Sequence, residues 1–285
     1  MSTVTPSLLS LVESTAETRL VGDDTQLAAT LANSARHGLP PISITPLHGQ
    51  HLSLLAQLVS ARAVLEVGTL GGYSAQWFAR AGARVTSIEV DARHRDVALE
   101  NLRAAGVDGA EVVLGDALDV LPRLAAEGRV FDLVFVDADW GRQADYFDWA
   151  VRLTRRGGAI YVDNAVQSMV EDGEDGVTRE GSLVARVGRD ERVRAALVPT
   201  VSVRKWDCES EFVDGFLLAV VLLKKEKKEK KEKIVGVGGD VDGGTCAERR
   251  VDDLRSGCRL RLRLTGVDLS CDASAIVERC LCFFL

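Results

Sequence analysis

The sequence predicts a doubly wound α/β fold, with a mostly parallel, seven-stranded sheet covered by helices on both faces. Three observations carry this. Five short β-rich runs, at 63–67, 84–90, 111–114, 131–136 and 159–162, alternate with helical segments, and helical crossovers between strands are what a parallel sheet requires. Two further β-rich runs, 197–204 and 212–223, are separated only by the polar stretch 205–211. A parallel crossover needs about a dozen residues, so these two pair antiparallel at the sheet edge. The third observation is compositional: of 285 residues, all six cysteines lie at or beyond Cys208, and seven of the eight lysines lie between Lys224 and Lys233. A folded body therefore joins a differently built segment near residue 223.

The elements follow in order. Residues 6–37 carry two helices, because Leu8, Leu11 and Val12, and then Leu27, Leu31 and Ala32, fall at the three-and-four spacing of one buried face. Gly38, Pro40 and Pro41 stop them, and a third helix follows Pro46 through Leu52, Leu55 and Leu58. Residues 1–60 thus form a helical cap or lid ahead of the first strand. A helix around 182–187 precedes the last two strands. The run 224–233 is low-complexity Lys/Glu, and the Gly- and Cys-rich remainder to Leu285 shows no sustained periodicity. The expectation is a single domain over 1–223 followed by a mostly disordered tail over 224–285. The final Cys282-Phe283-Phe284-Leu285 matches the loose prenylation pattern, with a chance match as the competing reading.

Composition narrows the function classes. The chain is 46% hydrophobic and 27% charged, with a formal net charge of −7, which argues against a general nucleic-acid binder and for small-molecule or protein partners. No run of 18 apolar residues exists, and the first twenty residues lack a basic flank, so neither a membrane span nor a signal peptide is expected. A cytoplasmic location is the default, and a body free of cysteine through residue 204 fits it.

In an open α/β sheet, ligands sit beyond the carboxyl ends of the strands. The first strand ends in Leu65-Glu66-Val67-Gly68-Thr69-Leu70-Gly71-Gly72-Tyr73-Ser74, a turn whose glycines allow close approach of backbone to a ligand; a plain strand-to-helix turn is the alternative. The second strand places Glu89 18 residues after Gly71, close to the spacing at which a carboxylate grips ribose hydroxyls. Asp116, after the third strand, is either an adenine-pocket acceptor or the N-cap of the next helix. The fourth and fifth strands end in Asp137-Ala138-Asp139-Trp140 and Asp163-Asn164. Asp137, Asp163 and Asn164 offer three oxygens at one rim of the sheet, the donor type that Mg²⁺ takes.

Together these residues resemble the cation-dependent class I O-methyltransferases, the catechol and caffeoyl-CoA O-methyltransferase group, which have a Rossmann-like fold. The resemblance covers roughly 25–222. It rests on Ile44-Thr45-Pro46-Leu47-His48-Gly49-Gln50, on the glycine turn, on Ile88-Glu89, on the two acidic strand ends and on Asp214-Gly215-Phe216. It implies S-adenosylmethionine bound by Ile44, Glu66, Gly68, Thr69, Ser74, Glu89, Ala117, Asp137 and Asp139. It also implies a divalent cation, Mg²⁺, held by the catalytic set Asp137, Asp163 and Asn164, and a small phenolic or catechol-like acceptor. Trp140, Tyr146 and Trp206 are candidate aromatic walls, with plain packing as the alternative. Relatives are commonly homodimers.

Two departures stand out. Family members usually carry a lysine, taken as the general base, where this chain has Trp140, and the first lysine here is Lys205. His48 and Lys205 are candidate substitutes, and Arg142, which stays protonated, is a candidate stabiliser of a phenolate. His94 is expected at the surface. The stretch Cys208–Asp214 reads as an insertion in the final hairpin. Two other functions remain open at this point: a catalytically weak homologue that binds cofactor or a protein partner, motivated by Trp140, and an NAD-dependent oxidoreductase on the same fold.

Overall fold

The computed structural model describes residues 5–171, 173–202 and 212–222. Helices α1 (Pro6–Ala16), α2 (Thr25–Arg36) and α3 (Pro46–Leu58) precede the sheet. Strands β1 (Ala63–Val67), β2 (Arg84–Glu89), β3 (Ala110–Leu114), β4 (Phe131–Val136) and β5 (Thr154–Val162) then alternate with α4 (Tyr73–Arg80), α5 (Ala92–Ala104), α6 (Ala117–Ala126) and α7 (Gln143–Leu153). The shorter α8 (Ala165–Glu171), α9 (Gly173–Thr178) and α10 (Leu183–Arg189) lead into β6 (Val193–Ser202) and β7 (Phe212–Val221).

The strand order is β3-β2-β1-β4-β5-β7-β6. The first five strands are mutually parallel, and β7 runs antiparallel to both β5 and β6. The helices begin where short polar side chains replace missing backbone partners. Asp24, Thr45, Asp91, Asp116 and Ser182 each accept a hydrogen bond from a first-turn N–H, a contact worth roughly 1 kcal/mol per cap.

Successive strand residues point to opposite faces, and here both faces are buried. Leu65, Val134, Val136 and Ile160 pack with Leu121 of α6 and Phe147 of α7. Val64, Leu133, Phe135 and Tyr161 pack on the other side with Leu52 of α3, Phe78 of α4 and Leu102 of α5. Each fully buried aliphatic or aromatic side chain of this kind contributes about 1.5–3 kcal/mol. Strand order reverses between β1 and β4, one connection going to each side. A crevice therefore opens above Val67 and Val136, where their chains continue into polar turns.

The structure extends or corrects several boundaries. β5 starts at Thr154, five residues before the run that begins at Ala159, because its pairing with β4 is interrupted by a register shift between Phe131 and Leu133. Gly157, at φ +72, lies in the irregular part. β6 starts at Val193 rather than 197; most of its residues are exposed, so it has no alternating apolar signal. The segment between β5 and the helix expected around 182–187 contains α8 and α9, with Ala165 and Gln167 buried. α1 continues into a π-helical turn, Glu17–Val21, ended by Gly22. Among the described residues, no helix is long and apolar enough to cross a membrane. Lys205, Trp206, Cys208, the expected hairpin insertion up to residue 211, and the tail 224–285 with Cys282 lie outside the described residues.

Candidate active site

The turn after β1 is shaped by backbone that side chains would obstruct. Gly68 adopts φ +96, and a Cβ there would lie 1.9 Å from the carbonyl oxygen of Asp137, so the chain can pass β4 this closely only as glycine. Leu70 sits at φ +49, an unusual conformation for a bulky residue. It is held because its N–H donates to Glu89 Oε2 at 2.8 Å, beside the Thr69 N–H at 3.1 Å. The Asp91 N–H donates to Glu89 Oε1 at 2.9 Å. Three backbone donors thus orient one carboxylate at the end of β2. Behind the turn, Asn101 Nδ2 donates to the Gly71 carbonyl at 2.9 Å and to Ser34 Oγ at 3.2 Å, tying α5 and α2 to it.

Beneath the turn lies Glu66, with no exposed surface. Burial pushes its carboxyl up to about 7, against the opposing hydrogen bonds of Ser74 and Ser87; Ser87 Oγ donates to its Oε2 at 2.5 Å. Ser87 Oγ also lies 2.6 Å from Thr69 Oγ1, so the buried acid is linked to the turn through hydroxyls.

At the neighbouring strand ends, the Asp137 N–H donates to the Val67 carbonyl and the Asp163 N–H to the Val136 carbonyl, both at 2.9 Å. These bonds extend the sheet by one step and bring both aspartates to its rim. Asn164 adopts φ +55, a left-handed conformation that asparagine tolerates better than most residues. Its Nδ2 donates to Asp214 Oδ2 of β7 at 2.8 Å. A carboxylate can only accept, so the amide nitrogen faces β7 and the amide oxygen faces away from it. Among the described residues, no three His, Cys, Asp or Glu side chains converge on one point; the oxygen donors that line the cavity here are two carboxylates, Asp137 and Asp163, and the Asn164 amide. That donor set suits a hard divalent cation with open positions for water or substrate.

The far rim is an ionic cluster. Asp116 caps α6 by accepting from the Leu118 N–H at 2.8 Å, which is the capping role open to it from the sequence. It also accepts three hydrogen bonds from Arg142, at 2.9 to 3.0 Å. These contacts, the backbone N–H of Leu118 foremost, hold the Asp116 carboxyl below the usual range. Arg142 Nε lies 3.4 Å from Asp139 Oδ1, and the Tyr146 hydroxyl donates to Asp139 Oδ2 at 2.5 Å. Burial, reinforced by Asp139, raises the Tyr146 phenol, which stays protonated.

These segments enclose one cavity of about 530 Å³. Of the residues singled out in the sequence, Ile44, Gly68, Thr69, Ser74, Glu89, Ala117, Asp137, Asp139, Asp163 and Asn164 line it, as do Trp140 and Tyr146. Glu66 does not; it supports the turn from below. Three expectations change. His94 is not simply a surface residue, because the first turn of α5 points it into the cavity with Nδ1 3.8 Å from Glu89 Oε1. His48, a candidate substitute for the base, is already engaged: Nε2 is 2.9 Å from the Tyr161 hydroxyl and Nδ1 is 3.9 Å from Asp163 Oδ2. Arg142 is turned toward Asp116 and Asp139 and is already engaged there. Ile42, Ser43 and Tyr73 also line the cavity; they escaped the sequence because nothing in their residue type marks them as ligand-binding.

With this geometry, the chain can be set beside known proteins. A sequence model of the O-methyltransferase family matches residues 17–203. A catechol O-methyltransferase of Mycobacterium tuberculosis is 43% identical over 218 residues, covering 74% of this chain and 94% of that protein. The crystal structure of a Bacillus cereus O-methyltransferase in complex with SAH aligns with a TM-score of 0.69 at 34% identity, covering 76% of this chain and all of that one. The O-methyltransferase TomG from Streptomyces achromogenes, involved in tomaymycin synthesis and solved with SAM, aligns with a TM-score of 0.66 at 31% identity, over 78% of this chain and all of that one. The nicotinamide-dependent alternative is thereby set aside: the chain belongs to the class I S-adenosylmethionine-dependent O-methyltransferase family.

Proposed function

We propose that this enzyme transfers the methyl group of S-adenosylmethionine to a hydroxyl of a small phenolic, catechol-like metabolite with the help of a divalent cation, Mg²⁺. One observation carries the proposal: the oxygen donors Asp137, Asp163 and Asn164 line the same cavity as the Gly68–Thr69 turn and Glu89. A relative 43% identical is named a catechol O-methyltransferase, which supports the acceptor class.

In this proposal Glu89, fixed by three N–H donors, holds the ribose hydroxyls. The turn at Gly68 and Thr69, with Ser74, receives the methionine portion above Glu66, and Asp139 flanks it. Ala117 lies near the adenine, and Ile44 contributes its backbone to the cofactor. Asp137, Asp163 and Asn164 would hold the cation, which when bound would supply Lewis-acid acidification of the acceptor hydroxyl. The protein's own contribution to the in-line displacement is positioning: the two substrates occupy one cavity whose walls are strand ends rather than long loops. Methyl transfer discharges the positive sulfonium, so partly buried walls such as Tyr146 and Trp140 favour the less charged transition state. In the same reading, 1–223 is the methyltransferase domain, with 1–60 as its helical cap or lid. The test is Mn²⁺ binding followed by electron paramagnetic resonance: wild-type protein should bind one ion, and Asp163→Ala should weaken that binding at least tenfold. Equal binding by the variant would overturn the assignment of the cation site.

A further inference from the structure

The Arg142 guanidinium joins parts of the cavity wall that the sheet keeps apart. Asp116 follows β3 and Arg142 follows β4, and in the sheet β2 and β1 lie between those strands. The Nη atoms make three hydrogen bonds to the Asp116 carboxylate at 2.9 to 3.0 Å, and Nε lies 3.4 Å from Asp139 Oδ1. Asp139 is braced on its other oxygen by Tyr146, whose ring lies 5.9 Å from the guanidinium carbon. Asp116, Asp139, Arg142 and Tyr146 all line the cavity.

The Arg142 and Asp116 side chains are 41% and 35% exposed. An ion pair so open to water adds little to global stability, so a role as a strut of the fold does not explain it. A planar, two-pronged contact is instead directional: it fixes where the carboxylate stands and how it is turned. One rigid fork therefore sets the separation of the α6 N-terminus from the turn carrying Asp139.

We propose that Arg142 is a cofactor-positioning residue, which clasps Asp116 and Asp139 and thereby holds two segments of the cofactor-binding wall in register. It acts through those carboxylates and has no contact with the reacting atoms. The inference rests on the reading of this cavity as the S-adenosylmethionine site.

Calorimetric titration of the full chain with S-adenosylmethionine and with S-adenosylhomocysteine tests it, alongside steady-state kinetics. Arg142→Met is expected to weaken both ligands alike, by about tenfold, and to raise the cofactor KM more than it lowers kcat at saturating cofactor. Asp116→Asn keeps the helix cap, since asparagine is an equally good N-cap, but loses the ion pair. It should give a similar loss, and the double variant should be no worse than either single one. Arg142→Lys, a point charge without the fork, should recover only part of the affinity. Unchanged affinities, additive losses, or a fall in kcat without a change in cofactor affinity would each overturn the proposal. So would an effect confined to S-adenosylmethionine, because that would make Arg142 a charge acting on the sulfonium rather than a positioning group. If the wild-type protein binds neither ligand, the cofactor reading of the cavity fails as well.

Discussion

His48 Nδ1 lies 3.9 Å from Asp163 Oδ2 while its Nε2 lies 2.9 Å from the Tyr161 hydroxyl. Through this imidazole, helix α3 touches the carboxylate at the end of β5. The same helix begins directly after Ile42, Ser43 and Ile44, which line the cavity, and is capped by Thr45. Two stretches of the cavity wall, the segment before α3 and the end of β5, are thus linked through one helix.

This relationship makes His48 a position where substitution is felt at Asp163. His48→Phe, which keeps a ring but no hydrogen-bonding nitrogen, is expected to lower kcat by about tenfold, the loss of one modest polar contact at about 1.4 kcal/mol. His48→Gln should retain more activity than His48→Phe. Steady-state kinetics on a catechol acceptor decides it, and equal activity of the two variants would remove His48 from the site's machinery.

Gly68 allows no substitute. Its φ is +96, and any side chain would place its Cβ 1.9 Å from the Asp137 carbonyl oxygen, so Gly68→Ala must push the end of β4 aside. A destabilisation of at least about 2 kcal/mol is expected, together with loss of S-adenosylmethionine binding. Urea denaturation and calorimetry measure the two effects, and wild-type values in both would contradict the close packing of β1 against β4.

Glu66 gives the fold a pH dependence with a definite sign. Burial raises its carboxyl to about 7 in the folded protein, so between roughly pH 4.5 and 7 the folded state holds a proton that the unfolded chain has released. Its contribution to stability is therefore full below about pH 4.5 and is lost as pH rises through 7, a change of about 3 kcal/mol. Glu66→Gln, neutral at every pH, should remove that component of the slope. Denaturant unfolding at pH 5 and pH 8 compares the two proteins, and parallel pH profiles would show that Glu66 titrates normally.

Trp140 lines the cavity, at the position where the family resemblance leads to the expectation of a lysine. Installing the amine by Trp140→Lys should raise kcat toward catechols, by up to about 10² if proton removal limits the wild-type enzyme. A rate profile across pH 6 to 9 would register the new base. An unchanged kcat would mean that proton removal does not limit turnover.

Much of the fold was legible from residue order alone. The runs ending at Val67, Glu89, Leu114, Val136 and Val162 call for cover on both faces, and a parallel sheet with helical crossovers leaves few other ways to supply it. The strand-end residues were legible for the same reason, because polar groups directly after apolar runs have one place to go. What the sequence concealed depends on side-chain direction. His94 looks like an ordinary helix residue until the packing of α5 aims it inward, and the ion pairs of Arg142 with Asp116 and Asp139 join segments far apart in the chain. Glu66 reads as a ligand, yet the pleat turns it beneath the glycine turn rather than into the cavity. The first residues of the edge strand β6, 193–196, and the helices within 165–178 carry too little apolar periodicity to announce themselves.

The most direct test of the central claim is methyl transfer from labelled S-adenosylmethionine to a panel of catechols and monophenols, with Mg²⁺ and with chelator, using wild-type protein and Asp163→Ala. Label is expected on catechols only when Mg²⁺ is present, and the variant should lose at least about 10²-fold of that activity, on the scale of removing one group that stabilises developing charge. Transfer that is indifferent to chelator and retained by Asp163→Ala would contradict the cation-assisted mechanism.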